Sequence, residues 1–483
     1  MLCAFNRKHI IENDTIKKIN DFLYSDYYFL SITLLVVLLW GLGQLATGPV
    51  VVVALTIMLL IIAAILVLQK DVAPVLFLAL MTMCVLPTTH LPKYLWVVAI
   101  PAGIVACAAI FHIVYYRIED FKFGKLFFPM LLFLVAILLG GIGSKLPSSP
   151  KGMLMGGLLL AIAPLFVYSI SLNYANREKS ACNYMARIAA YFGLAIVFEL
   201  AIYYIFKVPT MRAEYYVPHL GWGVSNTIAT YLLLSFPMCF YLYVKTQGKM
   251  AYVYLLAGLA EFVSVILTTS RGATIFGILE FLCTAIVTMF VVDKKKRKEY
   301  IIFAAIMLAI NLAALGLLYK RVVNFISRMF SDGMNDSGRF ELYREALACF
   351  FEYPIFGVGL GYIGKWDRLN NTIGIYMFHN TILQYCASLG LVGLTAYAYL
   401  YFARLEMIFE RWNHYGLYVL MVFIGFEGYC LLNTGTIEGY PTALFIILVY
   451  GAQEIETKQE ESKIYKALLA KLKFGEKMIK AEQ

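Results

Sequence analysis

The feature that most restricts this chain is a succession of apolar runs, each about 17 to 25 residues long. That is the length a helix needs to cross a hydrocarbon layer of about 30 Å. The runs fall at 28–46, 49–69, 72–87, 95–116, 127–143, 152–172, 188–206, 223–244, 250–268, 272–292, 300–318, 380–403, 415–433 and 440–456. Composition agrees: 61% of the 483 residues are hydrophobic and 14% are charged, more apolar surface than a soluble core of this size can hide. The expected fold is an all-α polytopic membrane protein of about 14 transmembrane helices, or about 12 if the weakest runs stop short, 72–87 first among them. The first run, from Tyr28, is too long for a signal peptide and lacks a small-residue cleavage site, so it is expected to remain as a span. The nine cysteines are scattered, mostly through apolar runs, with no CxxC pair, and indicate neither a disulfide framework nor a metal.

Lys and Arg near span ends are retained in the cytoplasm. With the N-terminus inside, the inner short loops hold about sixteen cations, Arg404 and Lys294 to Lys298 among them, against about six on the other side. Both termini are therefore expected to be cytoplasmic. The resulting organisation is a cytoplasmic segment 1–27, transmembrane helices 1–11 over 28–318, an extracytoplasmic helical loop 319–379, transmembrane helices 12–14 over 380–456 and a basic cytoplasmic tail 457–483. The net charge of +10 comes mainly from retained cations and the lysine-rich tail, so it is read as a membrane signature and not as a nucleic-acid footprint. Lys294 to Lys298 could also touch anionic lipid head groups.

The loop 319–379 is too long for a simple connection. Asp336-Ser337 reads as a helix N-terminus, and Phe340, Tyr343, Leu347, Phe350 and Phe351 then recur at helical spacing until Pro354 ends the run. An amphipathic helix is expected here, lying on the membrane domain or in the interface. Next comes Pro354-Ile355-Phe356-Gly357-Val358-Gly359-Leu360-Gly361. It lacks the strand and helix context of a nucleotide fingerprint, so its glycines are read as close packing or re-entrant backbone. Amides exposed at Gly357 and Gly359 could still donate to a phosphate oxygen. Arg271, in Thr268-Thr269-Ser270-Arg271-Gly272, lies between two apolar runs. A cation at that depth faces either a partner or an aqueous cavity; Glu261 and Glu280, about 15 Å away along their helices, are too far to be direct partners unless the helices bend.

Taken in order, several short motifs carry a resemblance. Gly221-Trp222-Gly223-Val224-Ser225-Asn226 enters one span and Ser270-Arg271-Gly272 opens another. Ser337-Gly338-Arg339 and Tyr353-Pro354-Ile355-Phe356-Gly357-Val358-Gly359 follow within the long loop. Phe378-His379-Asn380, Leu383-Gln384 and Gly390-Leu391-Val392-Gly393 complete the series. Over roughly 219–433 the chain resembles the bacterial O-antigen ligase and O-antigen polymerase superfamily, whereas 1–200 matches only as a series of spans. Many members carry an acidic residue shortly before the Gly-Leu-Val-Gly stretch, where this chain has Ala387-Ser388, so no role is carried over for a carboxylate there.

The resemblance implies glycosyl transfer outside the cytoplasmic membrane. The donor would be a glycan linked through diphosphate to a polyprenyl lipid, the acceptor a sugar hydroxyl on a glycan or lipid, and no cofactor or metal is expected. Arginine suits the leaving group, because a permanently charged fork bonds phosphate oxygens bidentately. Arg271 and Arg339 are the expected diphosphate clamp, with Arg344 a weaker third. His379 is the expected base for the acceptor, since imidazole titrates near neutrality; taken alone, the commoner role for such a histidine is to cap the following helix or bond an interfacial carbonyl. Asn380 either orients the imidazole or acceptor or caps the helix. His219 and Asn226 are expected near the substrate path, and Tyr215, Tyr216, Trp222, Trp366 and Tyr376 are candidates for stacking on sugars. The acidic residues within spans, Glu199, Glu261, Glu280 and Glu427, are expected to find arginine partners.

Within this family reading, polymerisation of repeat units and ligase-type transfer to lipid A, protein or a wall polymer remain open. A flippase or other transporter is the alternative from a different class. Ionisable residues near mid-membrane on several helices and symmetry between halves would favour it.

Overall fold

The computed structural model describes residues 14–45, 49–85, 95–118, 120–175, 180–207, 218–317, 323, 327, 338–365, 375–410, 412–435 and 450–456. Among these residues the architecture is all-α, with isolated bridges in place of strands. The helices are α1 (Asp14–Leu23), α2 (Asp26–Leu45), α3 (Pro49–Leu68), α4 (Ala73–Met81), α5 (Ala99–Tyr115), α6 (Phe127–Leu139) and α7 (Pro150–Tyr174), the last passing through one π turn. There follow α8 (Ala181–Ile202), α9 (Ser225–Lys245), α10 (Lys249–Leu267), α11 (Arg271–Val291), α12 (Lys294–Leu317), α13 (Arg339–Glu352), α14 (Thr381–Glu410) and α15 (His414–Cys430).

Nine helices among the described residues are long and apolar enough to cross a membrane, so the chain is a multi-pass membrane protein. They account for nine of the expected runs. The runs at 72–87 and 127–143 form shorter apolar helices, Ala73–Val85 and Phe127–Leu139. At 1.5 Å per residue, 13 residues span about 20 Å, less than the hydrocarbon thickness. Most of the run 440–456 lies outside the described residues, as do Asp336-Ser337, Tyr215, Tyr216, Trp366 and the tail 457–483.

The centre of the bundle is α9. Nearly all of its side chains from Ser225 to Tyr243 are buried, and it packs against α8, α10, α11 and α15. Small residues set the contacts among its neighbours: Gly193 of α8 leaves room for the Glu261 carboxyl of α10, and Gly425 of α15 for that of Glu280 of α11. Without a hydrophobic drive between helices in lipid, close approach at small residues is what holds such a bundle together. The arginine expectation holds at Glu427, whose carboxylate lies 2.7 Å from Arg404. Arg404 is buried in the bundle and so is not one of the loop cations. Glu199 accepts instead from Trp222 Nε1 at 2.8 Å, which turns that indole inward. Lys296 also has a structural role, donating to the carbonyls of Tyr243 (3.0 Å) and Val244 (3.2 Å) at the end of α9.

The glycine-rich segment explains how the surface loop joins the bundle. α14 is broken at Gly390, where φ is 63° and ψ −156°. A break in a membrane helix exposes amides and carbonyls that must find partners in protein. Here the partners are backbone groups of 354–359: Val358 N–H donates to Ala387 O (2.9 Å), Gly359 N–H to Ser388 O (2.8 Å) and Leu391 N–H to Pro354 O (2.8 Å). On the other side, Gly141 N–H donates to Phe356 O at 2.9 Å. Three backbones can meet this closely only without side chains. A Cβ on Gly357, where φ is +64°, would stand 2.5 Å from Ala387 O.

The surface helix α13 follows the expected periodicity, but only part of the expected apolar stripe, Tyr343 and Phe350, is half-buried. The side chains turned toward the protein are Leu342, Glu345, Ala346 and Cys349, while Phe340, Leu347 and Phe351 are exposed. Ala346 and Cys349 are small enough to let α13 lie against α14, and the larger apolar residues are left to face an interface. Glu345 fixes the loop beneath it by accepting from Tyr362 OH (2.8 Å), Tyr376 OH (3.0 Å) and Lys365 N–H (3.1 Å).

The backbone junction yields a stability contrast. Gly143 also has positive φ (+84°) but a Cβ there meets nothing within 4 Å. Gly143→Ala should therefore cost only about 1–2 kcal/mol of left-handed strain. Gly357→Ala adds a backbone clash and should cost more than about 4 kcal/mol, read as a much larger fall in melting temperature in detergent. Equal falls would contradict the junction.

Candidate active site

Four helix ends and one turn converge at the same end of the bundle: the starts of α9, α11 and α14, the end of α15, and the turn 431–433 that follows it. The turn 219–224 before α9 is held down by Trp40 Nε1, which donates to Leu220 O at 3.0 Å. Ser225 then ties α9 to the end of α10 by donating to Thr268 O at 2.6 Å.

From there a chain of side-chain hydrogen bonds crosses the site. Ser270 Oγ donates to Asn226 Oδ1 (2.9 Å) and lies 3.2 Å from Tyr429 OH. Asn433 Nδ2 donates to Tyr429 OH at 2.7 Å, and Asn433 Oδ1 lies 2.9 Å from His379 Nδ1. The donor sequence is self-consistent. Tyr429 receives from Asn433 and gives to Ser270, which gives to Asn226. Because the amide nitrogen of Asn433 is engaged with Tyr429, its oxygen faces the imidazole. His379 Nδ1 therefore carries the proton, and Nε2 is the acceptor nitrogen of the neutral ring.

His379 is held at both ends. Its carbonyl accepts from Tyr343 OH of α13 at 3.2 Å. Its backbone sits at φ 53°, and Thr269, beside Ser270, sits at φ 61°. These are the non-glycine residues with positive φ among those described, and both are at this site. Left-handed backbone costs a β-branched or bulky residue about 1–2 kcal/mol, and such strain concentrates where geometry is imposed for function.

The imidazole is half-buried. Burial holds its pKa below the ordinary 6.5; the Asn433 bond opposes that shift, and the positive charge of Arg339 adds to it. Arg339 is the first residue of α13 and Arg271 the first of α11, both half-buried. Arg344 is exposed on α13. The start of α11 abuts the end of α15 and the turn 431–433, where Gly272 faces Tyr429 and Leu432.

Other sequence candidates have structural bonds. Asn380 Oδ1 accepts from Leu383 N–H (2.9 Å), capping α14, and its Nδ2 donates to Leu431 O (2.8 Å), fastening the turn that carries Asn433. Gln384 bonds Phe378 N–H (2.8 Å) and Tyr376 O (2.9 Å), and so fixes the approach to His379. His219 is exposed, its Nδ1 accepting from Gly221 N–H at 3.1 Å. The Gly357 and Gly359 amides donate to Tyr353 O (2.9 Å) and Ser388 O (2.8 Å), so both are engaged within the backbone junction. Tyr376 is turned inward onto Glu345. Among the described residues no group of three or more His, Cys, Asp or Glu converges as a metal site.

Asn433 and Tyr429 were not singled out by sequence. The signal present was their spacing: four apart at a helix end, they share a face.

Residues 252–398 match the family model for O-antigen ligase. This region therefore resembles the O-antigen ligase and polymerase superfamily in sequence as well as in motif order. The match spans Arg271, Arg339 and His379, while Asn226, Tyr429 and Asn433 lie outside it. No curated protein matches the chain.

The electrostatics of the O-antigen ligase-like region can be tested directly. Histidine NMR on the full-length protein should place the His379 midpoint below 6.5. Arg339→Gln should move it upward, because a cation that disfavours protonation has gone. A midpoint insensitive to Arg339 would separate the two residues.

Proposed function

We propose that this protein transfers a glycan from a polyprenyl-diphosphate carrier to a sugar hydroxyl, with His379 as general base and Arg271 and Arg339 as the diphosphate clamp. The observation that carries this reading is the hydrogen-bonded chain from Asn226 to His379. It presents a neutral imidazole, Nε2 as acceptor, and links it through Asn433 and Tyr429 to Ser270, the residue that precedes Arg271. A base needs that protonation state, and burial favours it at neutral pH.

The placement of the arginines supports the clamp. A cation on the first residue of a helix opposes the helix dipole, which favours negative charge there. Arg271 and Arg339 both occupy such positions, and an anion between them would be attracted by the side chains and the helix ends alike. In the reaction, the acceptor hydroxyl loses its proton to Nε2 as its oxygen bonds the anomeric carbon. The bond from that carbon to the phosphate oxygen breaks, and the departing diphosphate keeps the electron pair and is stabilised by the guanidinium groups. Gly357 and Gly359 act as scaffold. Asn433 and Asn380 hold the base and its turn, while Arg344, His219 and Asn226 border the substrate path. The site faces away from the cytoplasm, and growth of a repeat-unit polymer is the preferred form of the reaction because its acceptor needs no further partner.

The buried carboxylates Glu199, Glu261 and Glu280, on α8, α10 and α11, are what a transporter reading would use. Glu199 accepts from Trp222 Nε1, Glu261 accepts from Cys239 Sγ at 3.3 Å and Glu280 packs against Gly425, so each is enclosed in packed protein.

The test uses purified full-length protein, a synthetic lipid-linked oligosaccharide and gel readout of product. His379→Ala should slow transfer about 10²- to 10⁴-fold with folding intact. Arg271→Lys should be impaired nearly as much as Arg271→Ala, since an ammonium does not replace a bidentate fork. In wild type, kcat/KM should fall on the acid side with a midpoint below 6.5, as protonation removes the base. Near-normal transfer by His379→Ala would end its assignment as base. For orientation, Lys145→Cys in a background freed of native cysteines should react with an impermeant thiol reagent in intact cells, and reaction only after permeabilisation would reverse the topology.

A further inference from the structure

Directly below the turn that carries Asn433, α14 and α15 part to leave a cavity of about 490 Å³, within the size range of small-molecule sites. Its floor is formed by buried side chains, Tyr397 at 8% exposure, Glu427 at 7% and Cys430 at 2%. Its rim is exposed: Ile382 at 43%, Leu431 at 48% and Phe402 at 64%. The cavity therefore opens sideways from a helix apolar enough to span a membrane, into the hydrocarbon. Below, the Glu427 carboxylate is engaged by Arg404 and by Tyr397 OH (3.3 Å), so the polar wall is neutralised and hydrogen-bonded.

The upper end of the cavity belongs to the candidate active site. Thr381 lines it and donates to Asn433 O at 3.3 Å; Leu431 lines it and its carbonyl accepts from Asn380 Nδ2 at 2.8 Å. A molecule in the cavity is thus one residue away from the His379–Asn433 pair. We infer that this groove holds the first part of the hydrocarbon chain of the lipid-diphosphate donor, an inference that rests on the proposed function. Chemistry favours the donor's chain over an acceptor's. In the donor only two phosphates separate the reacting carbon from hydrocarbon. An acceptor's hydroxyl is separated from any lipid of its own by at least a sugar. A chain entering under Leu431 leaves the diphosphate beside the end of α15 and the turn 431–433, against which the start of α11 with Arg271 is packed. From Leu394 to Phe402 the groove runs about 12 Å along α14 at 1.5 Å per residue, so only a short length of chain is held before the rest leaves past Phe402.

The probes are geranylgeranyl diphosphate and inorganic diphosphate, with the full-length protein in nanodiscs. Wild type should bind the prenyl compound at least about tenfold more tightly, as burial of two CH₂ equivalents already supplies. Ala398→Trp, which fills the groove, should abolish that advantage and leave inorganic diphosphate binding unchanged; Ala398→Leu, a milder change, should remove part of it. An advantage that survives in both folded variants overturns the inference. Photolysis of a diazirine at the third isoprene of the prenyl compound gives a second readout. Labelling within 394–402 or 423–431 that competes with unlabelled geranylgeranyl diphosphate supports the groove. Labelling elsewhere, or groove labelling displaced only by phospholipid or an acceptor glycolipid, overturns it. If inorganic diphosphate binding proves indifferent to Arg271→Ala, the clamp fails instead, and the labelling pattern still decides the groove.

Discussion

The structure depends on the need to partner every backbone polar group inside a membrane, and the place where that need is most acute is the break at Gly390. An open amide or carbonyl in hydrocarbon costs several kcal/mol. The break in α14 is tolerated because the 354–359 backbone supplies the missing bonds, and that segment is in turn bonded to Gly141 beyond α6. One junction thereby fixes the surface loop, the start of α14 and the end of α6 as one unit. The position of His379 follows from it. The residue stands two places before Thr381, the first residue of α14, on a backbone that Gln384, Asn380 and Tyr343 also restrain.

Much of the bundle was legible in the sequence because bilayer thickness prints its length onto apolar runs. Nine runs became spanning helices at nearly the expected places. The shorter elements Ala73–Val85 and Phe127–Leu139 show the limit of that logic: hydropathy reports burial in apolar surroundings and does not distinguish lipid from protein. The same ambiguity split the apolar stripe of α13 between protein and interface. Periodicity located an apolar stripe, but Ala346 and Cys349 make the close contact while the larger Phe340 and Phe351 stay outside. Arg404 shows the converse, a cation that sequence assigns to a loop until its buried partner Glu427 is seen across α14 and α15.

At the site, the residues with unusual chemistry could be read in advance and the residues that position them could not. Arg271 and His379 stand out because charge and imidazole are costly at a membrane boundary. Asn433 and Tyr429 close an ordinary apolar span, and their importance lies in bonds to residues more than 50 and 150 positions away. No local pattern encodes those partners. The glycines of 354–361 were legible as a need for close backbone approach, while which backbones approach is a property of the fold alone.

The side-chain relay ending at His379 has one more consequence, for proton traffic. An amide neither gains nor loses a proton near neutral pH, so Asn433 interrupts any proton wire between the imidazole and Tyr429. The relay transmits geometry and blocks charge. In the proposed reaction a proton taken up at Nε2 does not leave through Asn433; water or the departing diphosphate can accept it. Where the diphosphate accepts it, resetting the base is coupled to clearing the product from the site.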